Sequence, residues 1–208
     1  MKSNSDEELM SLVKRQSVPA FEELLERYER RMFAFFYRLS NDAERARDWA
    51  QETFLRVWSN RAQYISQGRF SSYLFRIARN QFIDAQRKEQ HRLAAEQQQL
   101  YQGDGPDRET GSVRDGCQEL FASELRASVG QAIARLPEAH RLVYVLSEEE
   151  HMSYREIADV LDCPVGTVSS RKVEAVKKLR LWLKPWKDEW LSQSDETDSA
   201  GSSRNWSK

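Results

Sequence analysis

Residues 153–172 read SYREIADVLDCPVGTVSSRK. Ser153-Tyr154-Arg155-Glu156 has the Ser-x-x-Glu form of a capping box, in which serine and glutamate side chains satisfy backbone donors at a helix start. The helix that follows turns Ile157, Ala158 and Leu161 to one side, and Asp162-Cys163-Pro164 breaks it. A second helix then runs through Val168 and Val176 to Leu183. A capped helix, a short break and a second, basic helix are the elements of a helix-turn-helix. An ordinary helical hairpin shares this periodicity, so the start of the second helix decides. Gly166 has no side chain to hold the backbone away from a phosphate, Thr167 and Ser170 can donate to phosphate or base, and Arg171 can pair bidentately with guanine. Lys172 adds charge beside them, and Lys177, Lys178 and Arg180 suit neutralisation of a phosphate backbone.

Working outward, the charge is segregated, although 32 Lys and Arg against 33 Asp and Glu leave the chain at −1. Arg171, Lys172, Lys177, Lys178, Arg180 and Lys184 face only Glu174 between Cys163 and Lys184. Arg69, Arg76, Arg79, Arg87, Lys88 and Arg92 form a second basic stretch against Asp84 and Glu89. Between them, Leu93 to Glu119 is acidic. Two basic patches around an acidic segment suit a chain that touches a polyanion at two places, although basic helix faces are often simply solvated.

Upstream, apolar residues recur at helical spacing in three segments. The first carries Phe21, Leu24, Leu25, Tyr28, Met32, Phe35, Phe36 and Leu39, with Pro19 in its first turn. The second is predicted to start at Asn41 as a cap, with Glu44 completing the box, and to bury Ala46, Trp49, Ala50, Thr53, Phe54, Val57 and Trp58. After a break at Gln67-Gly68, the third carries Phe70, Tyr73, Leu74, Ile77, Ala78, Phe82 and Ile83. Its Tyr73, Arg76, Asn80, Asp84 and Arg87 interleave aromatic, basic and amide groups. That mixture fits either an amphipathic helix with solvated arginines or a platform for separated DNA strands, which need π-faces and cations.

The expected fold is all-α: two small helical domains joined by a flexible linker, the second containing the helix-turn-helix. The boundaries are 18–92, an acidic linker over 93–119 where the apolar signal fades, 120–184, and an extension over 185–208 that is partly disordered. In that extension Trp182, Trp186 and Trp190 recur every fourth residue, either as a helix edge packed on its own domain or as a docking surface. The run Glu148-Glu149-Glu150-His151 reads as a solvated turn, and Cys163 as a small buried apolar group.

Composition narrows the function classes. No run of about 18 apolar residues exists to span a membrane. Cys117 and Cys163 have no Cys-x-x-Cys partner spacing, so neither a disulfide framework nor a zinc ribbon is expected. His91, His140 and His151 lie in separate segments, and no phosphate loop or nucleophile elbow occurs. The chain is therefore expected to be a cytoplasmic protein that is not an enzyme, with no cofactor and no metal.

Taken in order, Phe21-Glu22-Glu23-Leu24, Asp48-Trp49-Ala50-Gln51-Glu52-Thr53-Phe54-Leu55, Tyr73-Leu74-Phe75-Arg76-Ile77-Ala78-Arg79-Asn80 with Asp84, and Cys163-Pro164-Val165-Gly166-Thr167-Val168 resemble a bacterial RNA polymerase sigma factor of the extracytoplasmic-function group. The resemblance implies that the chain binds core RNA polymerase and promoter DNA in a stress or envelope response, and it leaves room for an anti-sigma partner. By position it implies a polymerase-binding face at Asp48, Gln51, Glu52 and Leu55. It implies minus-ten recognition and melting by Tyr73, Arg76, Asn80 and Asp84, helped by Arg87 and Lys88, with a flipped base captured near Tyr64 to Arg69. It implies minus-thirty-five reading by Pro164, Gly166, Thr167, Ser170 and Arg171, with Lys172 and Lys177. Trp49, Ala50, Tyr73 and Ser169 depart from the common family pattern. The competing reading is an autonomous helix-turn-helix regulator that binds duplex DNA without polymerase.

Overall fold

The computed structural model describes residues 4–66, 69–99 and 127–185, and among these every regular element is helical. Helix α1 (Asp6–Lys14) lies upstream of the expected first domain. Ser5 and Glu8 close a capping box on it, and it buries Leu9, Met10 and Val13. Helix α2 (Val18–Ser40) begins with a proline in its first turn, where the missing N–H costs nothing.

The junction with helix α3 (Ala43–Ser59) corrects the expected cap. Asn41 adopts a left-handed conformation with φ of 54° and donates its N–H to the Tyr37 carbonyl, which ends α2. Asparagine tolerates that conformation better than most side chains. Asp42 is the cap of α3, and its carboxylate accepts from the N–H groups of Glu44 and Arg45. One short polar residue thus closes a helix, and the next opens one.

A 3₁₀ turn (Arg61–Gln63) leads towards helix α4 (Phe70–Gln99). This helix runs on into the stretch expected as linker from residue 93. Leu93, Ala94, Ala95, Glu96 and the glutamines to Gln99 are strong helix formers, and no Gly or Pro interrupts them. The rest of that stretch, together with Gln67, Gly68, Cys117, Trp186, Trp190 and Ser192 to Lys208, lies outside the described residues.

Helices α1 to α4 enclose an aromatic core. Phe35 meets Phe75 edge-on at 5.2 Å, Phe36 meets Trp49 at 5.7 Å, and Trp49 meets Phe82 at 5.9 Å. Such offset and edge arrangements suit the ring quadrupoles. A second core gathers α5 (127–134), α6 (Glu138–Glu148), α7 (Tyr154–Leu161) and α8 (Val165–Trp182) around Ile133, Leu146, Ile157, Val160, Val168 and Ala175. Both halves of the capping box at Ser153 and Glu156 are made, and Asp162 turns the chain with a left-handed φ of 52°. Trp182 packs on this domain under the Arg135 guanidinium, 5.0 Å from its ring centre.

The domains are docked to each other, and the acidic run before the helix-turn-helix is part of the joint. It is not a solvated turn. Arg38 pairs with Glu149 at 2.8 Å, and Arg31 pairs with Glu150 at 2.9 Å. The Glu150 side chain is only 4% exposed. Burial pushes its carboxyl above the usual carboxylate range, and the adjacent Arg31 offsets part of that rise. The Arg141 guanidinium donates to the carbonyls of Leu39 and Leu136 near two helix ends, groups that lack intrahelical partners. Glu148 turns the other way, onto Lys172 of its own domain.

The corrected cap generates a testable expectation. Asp42→Ala lowers stability by about 0.5–2 kcal/mol in urea denaturation, whereas Asn41→Gly leaves it unchanged or slightly raised, because glycine adopts the left-handed conformation without strain. A neutral Asp42→Ala would restore Asn41 as the cap.

Candidate nucleic-acid interface

Helix α8 buries Val168, Lys172, Ala175 and Leu179 towards its own domain. Helical spacing then turns Gly166, Ser170, Val173 and Lys177 outward as one exposed stripe, with Pro164 and Val165 exposed at its entry. A side chain at Gly166 would meet nothing within 4 Å. Internal packing therefore does not require a glycine there, and the open space serves approach from outside. Thr167 is half-buried, and the Ser170 hydroxyl donates to its carbonyl at 3.1 Å. Arg171 stands on the flank, 3.9 Å from the half-buried Cys163 sulfur. His140 lies near it, and its pKa is lowered first by burial and then by the charges of Lys178 and Arg171.

Lys172 departs from its expected place on the DNA-facing side. It is 9% exposed, with its ammonium on Ser147 and Glu148 and over the Tyr144 ring. Four residues after Val168, it follows the buried stripe, and its ammonium is turned to its own domain. The exposed Val165 and Val173 were missed. Apolar side chains carry no charge signal, yet on this face they can meet thymine methyl groups.

On α4, Arg76, Asn80, Asp84, Arg87 and Lys88 are exposed, and Tyr73 is half-buried. Phe70, Leu74, Phe75, Ala78 and Phe82 occupy the opposite, buried side. Tyr64 also departs from expectation, being 4% exposed. Its ring stacks edge-on against Tyr73 at 4.8 Å and Phe70 at 6.3 Å, and burial raises its phenol pKa. It forms the floor of a site more than its surface. Gln63, Tyr64, Ile65, Tyr73, Arg76 and Asn80 border a pocket of about 300 Å³ beside α4, with Arg69 at its rim.

Asp48, Gln51, Glu52 and Leu55 share one side of α3, where Leu55 is 60% exposed and Glu52 pairs with Arg56 at 2.9 Å. Gln51 and Leu55 also border a groove of about 830 Å³ between α2 and α3 that continues over Phe21, Leu25, Phe33 and Phe54. Arg30, Glu29 and Arg47 rim it. An apolar floor inside a charged rim has the makeup of a protein-binding surface. Phe21 and Leu25, read from spacing as part of one apolar helix face, are only partly buried and also line this groove.

The two candidate DNA-facing surfaces meet across the domain joint. Arg69, Ser72 and Arg76 of the first domain face Glu156, Asp159, Asp162, Pro164 and Val165 of the second across a cleft of about 930 Å³. Arg69 pairs with Glu156 at 3.3 Å, and Arg79 donates to the Leu161 carbonyl at 3.4 Å. Burial alone would raise the Glu156 carboxyl, but hydrogen bonds from Ser153 and the charge of Arg69 bring it below its usual range. Among the described residues no cluster of His, Cys, Asp and Glu could hold a metal ion, and no helix is long and apolar enough to cross a membrane.

Comparison with known proteins places these surfaces in context. The model of sigma-70 region 2 matches residues 24–92, and that of sigma-70 region 4 matches residues 126–179. The chain is 31% identical to the RNA polymerase sigma-H factor of Pseudomonas aeruginosa over 86% of its length and 94% of that protein's. It is 32% identical to the ECF RNA polymerase sigma factor SigW of Bacillus subtilis, over 83% of this chain and 93% of that one. Its fold is similar to CnrH solved with the cytosolic domain of CnrY, at 22% identity and a TM-score of 0.66, covering 88% of this chain and 99% of that one. It is also similar to RpoE of Bartonella quintana solved with the anti-sigma factor NepR, at 22% identity and a TM-score of 0.61, covering 80% and 98%.

Lys172 and Lys177 of α8 should separate by experiment. Lys177→Ala weakens DNA binding about equally on all sequences and reduces the slope of log affinity against log salt by about one. Lys172→Met leaves that slope unchanged and alters only thermal stability, since its charge is spent on Glu148. A shallower salt dependence for Lys172→Met would return this lysine to the DNA face.

Proposed function

The chain belongs to the extracytoplasmic-function RNA polymerase sigma factors of the sigma-70 family, and from that premise we propose how its surfaces divide the work. It binds core polymerase and directs promoter recognition and transcription initiation. The groove between α2 and α3, bordered by Gln51 and Leu55, and the neighbouring α3 surface of Asp48 and Glu52 receive the polymerase. The exposed stripe of α4 opens the minus-ten element, with Arg69, Tyr73, Arg76, Asn80, Asp84, Arg87 and Lys88 offered to the separated strands. The α8 stripe of Pro164, Gly166, Thr167, Ser170 and Lys177 reads the minus-thirty-five element, with Arg171 at its edge. The protein acts in the cytoplasm, carries out no catalysis of its own, and serves a stress or envelope response. An anti-sigma factor is a further partner by analogy with the solved relative from Bartonella.

The observation that favours this over an autonomous regulator is the cleft between the domains. Arg69 and Arg76 look onto Glu156, Asp159 and Asp162 of the second domain, so in the docked form part of the basic surface near the minus-ten pocket faces carboxylates, while Arg87, Lys88 and the α8 stripe stay open. Distance makes the same point. Elements about 25 base pairs apart lie about 85 Å apart on a duplex at 3.4 Å per pair. A compact chain of 208 residues has a radius of gyration of only about 17 Å. The covalent chain between residues 99 and 127 can reach up to about 90 Å when extended, enough for the domains to part. A larger body must hold them at the promoter spacing.

Two outcomes follow. In filter binding, the protein alone retains duplex promoter DNA weakly, and addition of core polymerase produces tight, sequence-specific retention; tight specific binding without core would favour the autonomous regulator. Leu55→Asp keeps the helical circular dichroism spectrum but loses at least about tenfold in affinity for core, because an exposed apolar anchor is exchanged for a charge that the interface would have to desolvate. Unchanged affinity would remove α3 from the interface.

A further inference from the structure

Helix α1 touches no groove or stripe assigned above, yet two of its side chains reach across to the pocket beside α4. The Lys14 ammonium donates to the Tyr64 carbonyl at 2.8 Å. The Glu7 carboxylate accepts the Phe70 N–H at 3.1 Å. One contact is to a residue that lines the pocket, and the other is to the residue that begins the helix supplying much of its lining. Tyr64 belongs to the wall built by Gln63, Tyr64 and Ile65, and Phe70 is the first residue of the helix that supplies Tyr73, Arg76, Ile77 and Asn80.

The Glu7 contact has a clear electrostatic basis. The first N–H groups of a helix lack intrahelical acceptors, and that end carries partial positive charge, so a carboxylate there is stabilising. Here it comes from another helix, which makes the start of α4 depend on where α1 sits. Helix α1 is itself firmly placed. Leu9, Met10 and Val13 are buried, Asp6 pairs with Arg27 at 2.7 Å, and the Tyr28 hydroxyl donates to the same carboxylate. Lys14 is exposed apart from its contact, so its charge is not needed to fill the core.

We propose that α1 sets the width of the base-capturing pocket, with Lys14 and Glu7 as positioning residues for promoter opening. This rests on the reading of α4 as the minus-ten surface. The two residues act through Tyr64 and Phe70 and need not touch DNA. Loss of one charge-assisted hydrogen bond corresponds to about a tenfold change in an equilibrium that depends on it.

The test uses holoenzyme assembled from the full chain and core polymerase, on a promoter carrying 2-aminopurine within the minus-ten element. Lys14→Met and Glu7→Ala are expected to lower formation of the fluorescent open complex about tenfold each, with core affinity and duplex binding unchanged. Lys14→Arg and Glu7→Gln, which keep a donor and an acceptor, are expected to recover most of the signal. Arg76→Ala, which removes a pocket wall directly, serves as the reference. If Arg76→Ala opens normally, the reading of α4 itself fails. If Arg76→Ala is defective while Lys14→Met and Glu7→Ala open normally, the bracing role fails and the reading of α4 stands. Weakened duplex binding with a shallower salt slope in Lys14→Met would make Lys14 a phosphate contact, and a general loss of core affinity would make α1 merely structural; either result overturns the proposal.

Discussion

Inside the aromatic core of the first domain, the Thr53 hydroxyl lies 3.0 Å from the Gln81 side-chain oxygen and 2.8 Å from the Trp49 carbonyl. Both side chains are buried, at 0% and 4% exposure. A satisfied polar pair of this kind adds little net stability over apolar residues of the same shape, but leaving either partner alone is costly. It therefore adds a polar requirement to the orientation of α4 against α3 that the buried apolar stripe of α4 already favours. Once Gln81 faces Thr53, Phe75 and Phe82 meet Phe35 and Trp49, and Arg76, Asn80, Asp84 and Arg87 are turned to solvent. The exposed stripe of α4 is thus placed by buried contacts that include an uncharged polar pair.

The near-neutral charge of the chain acquires a physical meaning in the docked arrangement. Arg31 and Arg38 of α2 and Arg69, just before α4, are matched by Glu150, Glu149 and Glu156 of the second domain. Ion pairs that retain solvent exposure contribute about 0–1 kcal/mol each. Glu150 is the most buried of these groups, and desolvation offsets much of what Arg31 supplies. These ion pairs therefore add little net stability to the joint, where α4 also packs directly against α7.

Periodicity made much of this fold legible. The buried residues of α2, the Ser153 capping box and the break at Asp162 follow from spacing and turn chemistry visible in the chain. Three features were hidden for different reasons. Helix α1 is short and opens on acidic residues, so its apolar signal was easily passed over. Asn41 and Asp42 both suit a helix cap, and only the backbone conformation shows that one ends a helix and the other begins the next. Lys172 and the Glu148 to Glu150 run were judged by charge alone. Which side of a helix a charge occupies, and what another domain brings to it, are tertiary facts that local spacing does not contain.

Helix α2 separates two surfaces of the protein. Arg31 and Arg38 look towards the second domain, while Leu25, Arg30 and Phe33 border the apolar groove. A one-residue step in a helix turns the side chain by about 100°, so Arg30 and Arg31 serve different surfaces although they are neighbours in the chain. Among the described residues, none of the ion pairs across the joint involves a residue that borders the groove. The groove and the joint thus occupy separate faces of α2, and a change at one need not disturb the ion pairs of the other.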